Sequence, residues 1–590
     1  MCEAVHTFTK VSSLSLIRPR RGCLDIDIIL ANVTSHSDGV CAMKFETRLT
    51  PQMIERYVSG GWWGTQTIYG LVSARAAEEP DREAIVDARW RITYRELKDG
   101  IDRTAAFLKG RGMARGDVVT IQLPNWIEFA FVFLALELLG AVANKISPDF
   151  RSREVNYILR FSRSRGYVCP QSFKGFDYPD MVRALMPDLP DLRLICVVDG
   201  AGHGEPHTVS LAAGLDQAAP LPASERVAMD ANEVFRMAFT SGTTGNPKCV
   251  LHSFNTTLPA CRALTRDMEV TAQDVFLIYL PLGLNWGYLL LIQALILGAR
   301  VILLDRFSGR AALELIEREK VTFVCSAPAS IIAMLNEPDL ERYELSSLRV
   351  VITGGASCPV ETLRDFQRRM SGHLIELYGM LETGYHTYTR LTDDPEKVNG
   401  TIGRCVDGMG LRLLDSAGND MPRGEQGEIA CDGPSVHLGY YNNPQANAEA
   451  FTADGWFRTG DLGVFADDAG NVRIVGRSKE IINRGGKKFF PREVEEILYT
   501  HPKVLHVAMV GVADARLGER NCLCLVPKSG AQVTLEELNE FLRGQLATYK
   551  LPERLEIFSE LPFTPTGKIQ RFLLQKQIET RDRAAAQAGS

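Results

Sequence analysis

The sequence predicts an α/β protein: a large N-terminal body of several subdomains with parallel-rich sheets and helices, then a small α+β C-terminal domain. Three observations predict it. Short apolar runs closed by glycine or proline alternate with segments of helical period. At 590 residues the chain is longer than one hydrophobic core usually organises. Its character also changes near Asn471–Lys479, after which roughly 100 residues carry helix and strand signals of their own.

The elements follow in chain order. Thr93 and Glu96 form a capping box for a helix with Leu97, Ile101, Ala105 and Leu108 on one face, ended by Gly110, Gly112 and Gly116. Val118–Leu123, closed by Pro124 and Asn125, reads as a buried strand. Val350–Gly355 repeats the strand–glycine pattern, and Pro359 opens a helix bearing Val360, Leu363 and Phe366. Such junctions place ligands at the carboxyl ends of parallel strands. Beyond residue 479 come a Gly-Gly loop, a helix from Pro491, strands near His506–Val512 and Leu523–Pro527, and a helix capped by Thr534 and Glu537. The division expected is an extension at 1–43, a body at 44–475, a C-terminal domain at 476–575 and a flexible tail at 576–590.

Composition excludes several classes of function. A net charge of −6 offers no footprint for nucleic acid. The two most apolar stretches, Phe129–Val142 and Leu289–Leu304, are interrupted by Glu137 and by Gln293 and Arg300, so they read as core helix and strand rather than membrane spans. Residues 1–43 lack the pattern of a secretory signal, which makes a cytoplasmic location the default; Arg18, Arg20 and Arg21 among serines leave an organelle transit peptide open. Thirteen cysteines in this length do not suggest a disulfide framework. Cys522 and Cys524 lack the further ligands a zinc site needs and read as buried strand thiols.

Chemistry concentrates at Thr240-Ser241-Gly242-Thr243-Thr244-Gly245-Asn246-Pro247-Lys248. Its glycines let backbone N–H groups approach a phosphate closely, while hydroxyls and a lysine add donors. The Gly-Lys-Ser/Thr ending of a Walker A loop is missing. A Gly/Ser/Thr-rich linker is the alternative, and the apolar strand before the loop and Lys248 after it favour triphosphate binding.

Further motifs follow in a fixed order: Tyr378-Gly379-Met-Leu-Glu382-Thr383, Gly427-Glu-Ile with Gly439-Tyr440 and Pro444, Gly455 to Asp461, Gly476 to Gly486, and Pro565-Thr-Gly-Lys568. Together with the loop they resemble the signature of the adenylate-forming superfamily, over about residues 50–575. The resemblance implies ATP-dependent activation of a carboxylic acid as acyl-AMP with release of pyrophosphate, then transfer to the thiol of CoA. It implies that Thr240 to Lys248 holds the β- and γ-phosphates, that Glu382 helps hold Mg²⁺ through them, and that Tyr378 and Gly379 lie against the adenine. Gly354, Gly355 and Ala356 would line the adenine and acyl pockets. Asp461 would accept from both ribose hydroxyls, and Arg477 would contact the nucleotide from the domain junction. Lys568 would bridge the carboxylate and α-phosphate as charge develops between two anions. Lys479 would be the hinge of a mobile C-terminal domain, whose rotation brings Gly485 and Gly486 to frame a tunnel for the thiol.

Four positions depart from the pattern: Cys249 for glycine, Leu381 for threonine, and Gly283-Leu284 for an aromatic–histidine pair. Gly283, Leu284, Asn285 and Trp286 are the expected acyl pocket, more apolar than usual, and Asn285-Trp286 resembles ligases of aryl and alicyclic acids. Two other readings accompany the first. One is loading of a carrier protein's phosphopantetheine instead of CoA. The other is an adenylate-binding relative with impaired catalysis.

Overall fold

The computed structural model describes residues 45–200, 207–240, 247–356, 358–477, 480–514, 516–564 and 567–588. Among them two large sheets form the body. The first runs, from edge to edge, through Arg404–Cys405, Gly384–Tyr388, His373–Met380, Val350–Gly354, Phe323–Ser326, Val275–Ile278, Arg300–Leu303, Glu83–Val86 and Arg91–Thr93. Its interior pairings are parallel. The second runs through Cys249–Ser253, Val234–Phe239, Val142–Lys145, Val118–Ile121, Gly166–Cys169, Leu194–Val197 and Thr208–Ser210, parallel except at its first pairing.

The two apolar stretches become helices Ile127–Leu139 and Asn285–Leu297, each followed by a strand of one sheet. Both are buried on nearly every side, which accounts for their lack of a polar face. They meet at Phe133 and Tyr288, whose rings lie 4.8 Å apart, so the pair joins the two sheets into one core. Glu137, the charge inside the first stretch, accepts the Tyr69 N–H at 2.9 and 3.0 Å. It thereby meets an open N–H at the start of helix Ile68–Glu78. Burial lifts its carboxyl to about 7.

Local signals are realised where they were strongest. The Thr93–Glu96 box caps Tyr94–Gly110, and Thr534 accepts from Glu537 N–H at the start of Leu535–Leu542. An antiparallel sheet of Gly410–Leu414, Gly427–Asp432, Phe457–Phe465 and Val472–Arg477 extends the body. Its last strand runs through Arg477, past the boundary expected at 475, because Arg477 pairs with Asp461.

The C-terminal residues form a second sheet-and-helix unit around Val504–Asp514 and Gly518–Pro527, with its own cores. Cys522 and Cys524 are buried there, and no cluster of three metal-ligating side chains exists among the described residues. The flexible tail expected from 576 is instead helical: Arg571–Ala588 packs Leu574 and Ile578 into that core. Only two apolar anchors in a largely polar segment hid this helix in the sequence. No described helix is long and apolar enough to cross a membrane.

Candidate active site

The site lies at the carboxyl ends of the parallel strands of the first sheet, where Ala327, Gly354 and Tyr378 sit near or just beyond the ends of adjacent strands. Gly354 admits no side chain: a Cβ there would lie 2.3 Å from the Leu377 carbonyl and 3.1 Å from the Trp286 ring. Gly355 turns the chain at a φ of +75°, and Ala356 follows half-buried. On the next strand Tyr378 is buried and donates its hydroxyl to Asp461 at 2.7 Å, with Gly379 beside it. Burial, reinforced by the Asp461 charge, drives the Tyr378 phenol well up.

Asp461 is also met by Arg477, whose Nε lies 2.7 Å from the other carboxylate oxygen. The antiparallel pairing of Asp461 with Arg477 places both side chains together. Each carboxylate oxygen keeps acceptor capacity beyond these bonds, as a vicinal diol requires.

Glu382 follows the end of strand His373–Met380 and is buried. Its carboxylate accepts the Tyr440 hydroxyl at 3.0 Å. Burial raises its carboxyl, opposed by that bond and by the charges of Lys248 and Lys568. Lys248 Nζ in turn sits 4.6 Å from the Tyr440 ring centre. Thr240 and Lys248 clasp each other: Thr240 N–H donates to Lys248 O at 2.9 Å and Lys248 N–H to Thr240 Oγ1 at 3.0 Å. Ser241, Gly242, Thr243, Thr244 and Gly245 lie outside the described residues, as does Lys479.

Lys568 reaches this cluster from the C-terminal unit. Its turn is held by Lys568 N–H to Thr564 Oγ1 at 3.0 Å and Thr564 N–H to Lys568 O at 2.7 Å. Gly567, at a φ of +77°, rests against Ala327: a Cβ there would lie 2.5 Å from the Ala327 Cβ. Lys568 is half-buried, and partial loss of water with the Arg477 charge lowers its ammonium to about 8, opposed by Asp461, Glu382 and Glu480. Three residues on, Arg571 donates to Glu480 at 3.2 Å and to Glu495 at 2.9 Å, tying the segment after the lysine to the residue next to the hinge expected at Lys479.

The expected acyl residues open helix Asn285–Leu297. Gly283 presses on the Ile146 carbonyl, where a Cβ would lie at 1.9 Å, and Leu284 occupies the cap position without a side-chain bond. Asn285 is fixed by Arg236 at 3.2 Å and donates to Met380 O at 3.3 Å. Trp286 faces Gly354. Gly485 and Gly486 stand apart from the cluster, in an exposed turn between Ile482–Arg484 and Lys487–Phe489.

Sequence reasoning missed Tyr440 as a partner of Glu382, although Gly439-Tyr440 belonged to a quoted motif. It also missed Lys145, Arg236 and His252. Their one signal was a charged or basic residue inside an apolar strand run.

A family model for AMP-binding enzymes matches residues 72–441, and a model for the AMP-binding enzyme C-terminal domain matches 493–568. The chain belongs to the AMP-binding enzyme family. This AMP-binding enzyme is 34% identical over 543 residues to the medium-chain fatty-acid–CoA ligase of Escherichia coli (strain K12), covering 91% of the chain and 95% of that protein. It is 34% identical over 540 residues to the 2,3-dihydroxybenzoate-AMP ligase of Bacillus subtilis (strain 168), covering 90% and 97%. ATP-bound MatB from Rhodopseudomonas palustris superposes with a TM-score of 0.79 at 27% identity, covering 87% of the chain and 99% of MatB. The α/β fold with its smaller C-terminal domain is therefore that of AMP-forming ligases.

Proposed function

We propose that this AMP-forming ligase is an acid–thiol ligase: MgATP and a carboxylic acid give acyl-AMP and pyrophosphate, and CoA then gives the thioester and AMP. The observation that carries the proposal is the placement of half-buried Lys568 within the electrostatic reach of Asp461 and Glu382, a cation brought from a separate unit to a cluster of acids and tyrosines. In the first step the acid's oxygen attacks the α-phosphorus and the bond to the pyrophosphate breaks. Lys568 offsets the charge of the two approaching anions, and Asp461 holds the ribose.

Mg²⁺ fits this site in a specific way. The described residues form no three-ligand cluster, so the ion would take most oxygens from phosphates and water, with Glu382 as its protein carboxylate. Bound there, it would neutralise phosphate charge. The raised Glu382 carboxyl suits a group that gains a cation on binding.

In the second step the C-terminal unit turns about Lys479, Lys568 withdraws, and the Gly485-Gly486 turn comes to face the thiol. A second reading, loading of a carrier protein, is supported by the aryl-acid ligase among the relatives and by Asn285-Trp286. Incubating the enzyme with ATP and an acid panel, then measuring pyrophosphate and the thioester formed with CoA or with a holo carrier protein, tests both readings. Pyrophosphate release with thioester on CoA supports the first. Thioester on the carrier alone moves the assignment to the second. No acid-dependent pyrophosphate despite ATP binding leaves an impaired adenylate-binding relative.

A further inference from the structure

Behind the first turn of helix Asn285–Leu297 two cations are buried with no acid beside them among the described residues. Lys145 ends strand Val142–Lys145 at 1% exposure, and its Nζ has no hydrogen-bond partner. Arg236, on the neighbouring strand and also 1% exposed, bonds to neutral oxygens: Thr257 Oγ1 at 3.4 Å and Asn285 Oδ1 at 3.2 Å. Parallel pairing of Arg236 with Ala143 and Ala238 with Lys145 turns both side chains to one face. The Tyr288 ring faces both, 4.9 Å from Lys145 Nζ and 4.8 Å from Arg236 Cζ, and its own hydroxyl is without a partner.

A lysine and an arginine removed from water are ordinarily paired with carboxylates. Among the described residues no carboxylate forms an ion pair with either. Burial and the Arg236 charge push the Lys145 ammonium well down, and burial lowers Arg236 to about 10. His252 lies close enough to feel both, but its ring nitrogens are already engaged by Thr256 Oγ1 and the Leu381 carbonyl.

The pair faces a different set of partners from the reacting centre. The leading charges on Lys568 are Arg477, Asp461, Glu382 and Glu480, and those on Glu382 are Lys248 and Lys568. Asn285 connects the two regions, taking Arg236 on one side and donating to the carbonyl of Met380 on the other.

We propose that Lys145 and Arg236 bind a second carboxylate at the far end of the acid, so that the substrate is a dicarboxylic acid. This rests on the adenylating reading above. One carboxylate meets ATP at Lys568, while the other supplies the counter-charge that the fold withholds. A monocarboxylic acid of the same body would leave both cations uncompensated and be rejected for that reason.

The test is ATP–pyrophosphate exchange on the full chain with matched pairs: hexanoate and adipate, benzoate and terephthalate, cyclohexanecarboxylate and its 1,4-dicarboxylate. In at least one pair the diacid should exceed the monoacid in kcat/KM by about 30-fold or more. Lys145→Met should cut that ratio at least tenfold through the diacid's KM. It should also abolish the rise in melting temperature that the diacid alone gives the unsubstituted enzyme. Monoacids equal to or better than diacids in every pair would overturn the proposal while leaving adenylation intact. Equal losses for both members of a pair in Lys145→Met would overturn it too, by assigning the cations to the reacting carboxylate. Silence across all six acids, with ATP still bound, would remove the adenylation reading and this one with it.

Discussion

Lys568 is the residue on which the proposed chemistry turns, and its surroundings make its behaviour calculable in sign. Only the ammonium form can offset the charge of two anions. With the free-enzyme value lowered to about 8, kcat/KM for acyl-AMP formation should be level below that pH and fall as pH rises through it. A pH profile of pyrophosphate exchange that rises across the same range would contradict the assignment. Lys568→Ala should reduce exchange by roughly a thousandfold, in line with loss of a preorganised charge, while thioester formation from supplied acyl-AMP changes little. Asp461 sets a second expectation. Asp461→Asn should raise the KM for ATP about tenfold, and Tyr378→Phe should do so less, because the tyrosine acts on the ribose through Asp461 rather than directly. At this scale the motif residues were legible because their spacing along the chain is itself the signal. Lys145 and Arg236 were not. Each is one charge in an apolar run, and what makes them a pair is a register between strands some ninety residues apart, which periodicity does not carry.

At the level of elements, strand His373–Met380 carries a second buried acid, Glu376, which accepts Gly400 N–H at 2.9 Å. Burial lifts its carboxyl to about 8; Arg492 of helix Pro491–Leu498 opposes the rise and Glu496 adds to it. The folded chain therefore keeps a proton that the unfolded chain releases near the ordinary value of 4.5, so stability is full below that pH and declines as pH climbs toward 8. Glu376→Gln cannot ionise, and its melting temperature should overtake that of the unsubstituted protein as pH rises from 5 to 8, by about 3 kcal/mol of stability at the upper end. Parallel melting curves against pH would refute this. Elements themselves were readable where a cap or an apolar period marked them, as at Thr93 and Thr534. Helix Arg571–Ala588 escaped because its evidence is tertiary: Leu574 and Ile578 matter only once a sheet lies beneath them.

For the whole molecule, the informative contact is between units. Gly567 meets Ala327 of the body so closely that a methyl group has no room, and its positive φ penalises any side chain as well. Gly567→Ala should hold the C-terminal unit off the body. Acyl-AMP formation should then drop at least about tenfold, with transfer from supplied acyl-AMP to CoA spared, since the second step does not use this docking. Equal damage to both steps in a two-step assay would show instead that the turn had lost its shape. The strut from Arg571 to Glu480 and Glu495 carries a final consequence. It ties the segment after Lys568 to Glu480, next to the proposed pivot, and so couples the lysine to its own unit. In the proposed cycle the lysine would leave only with its whole unit, so the two steps would exclude each other in time.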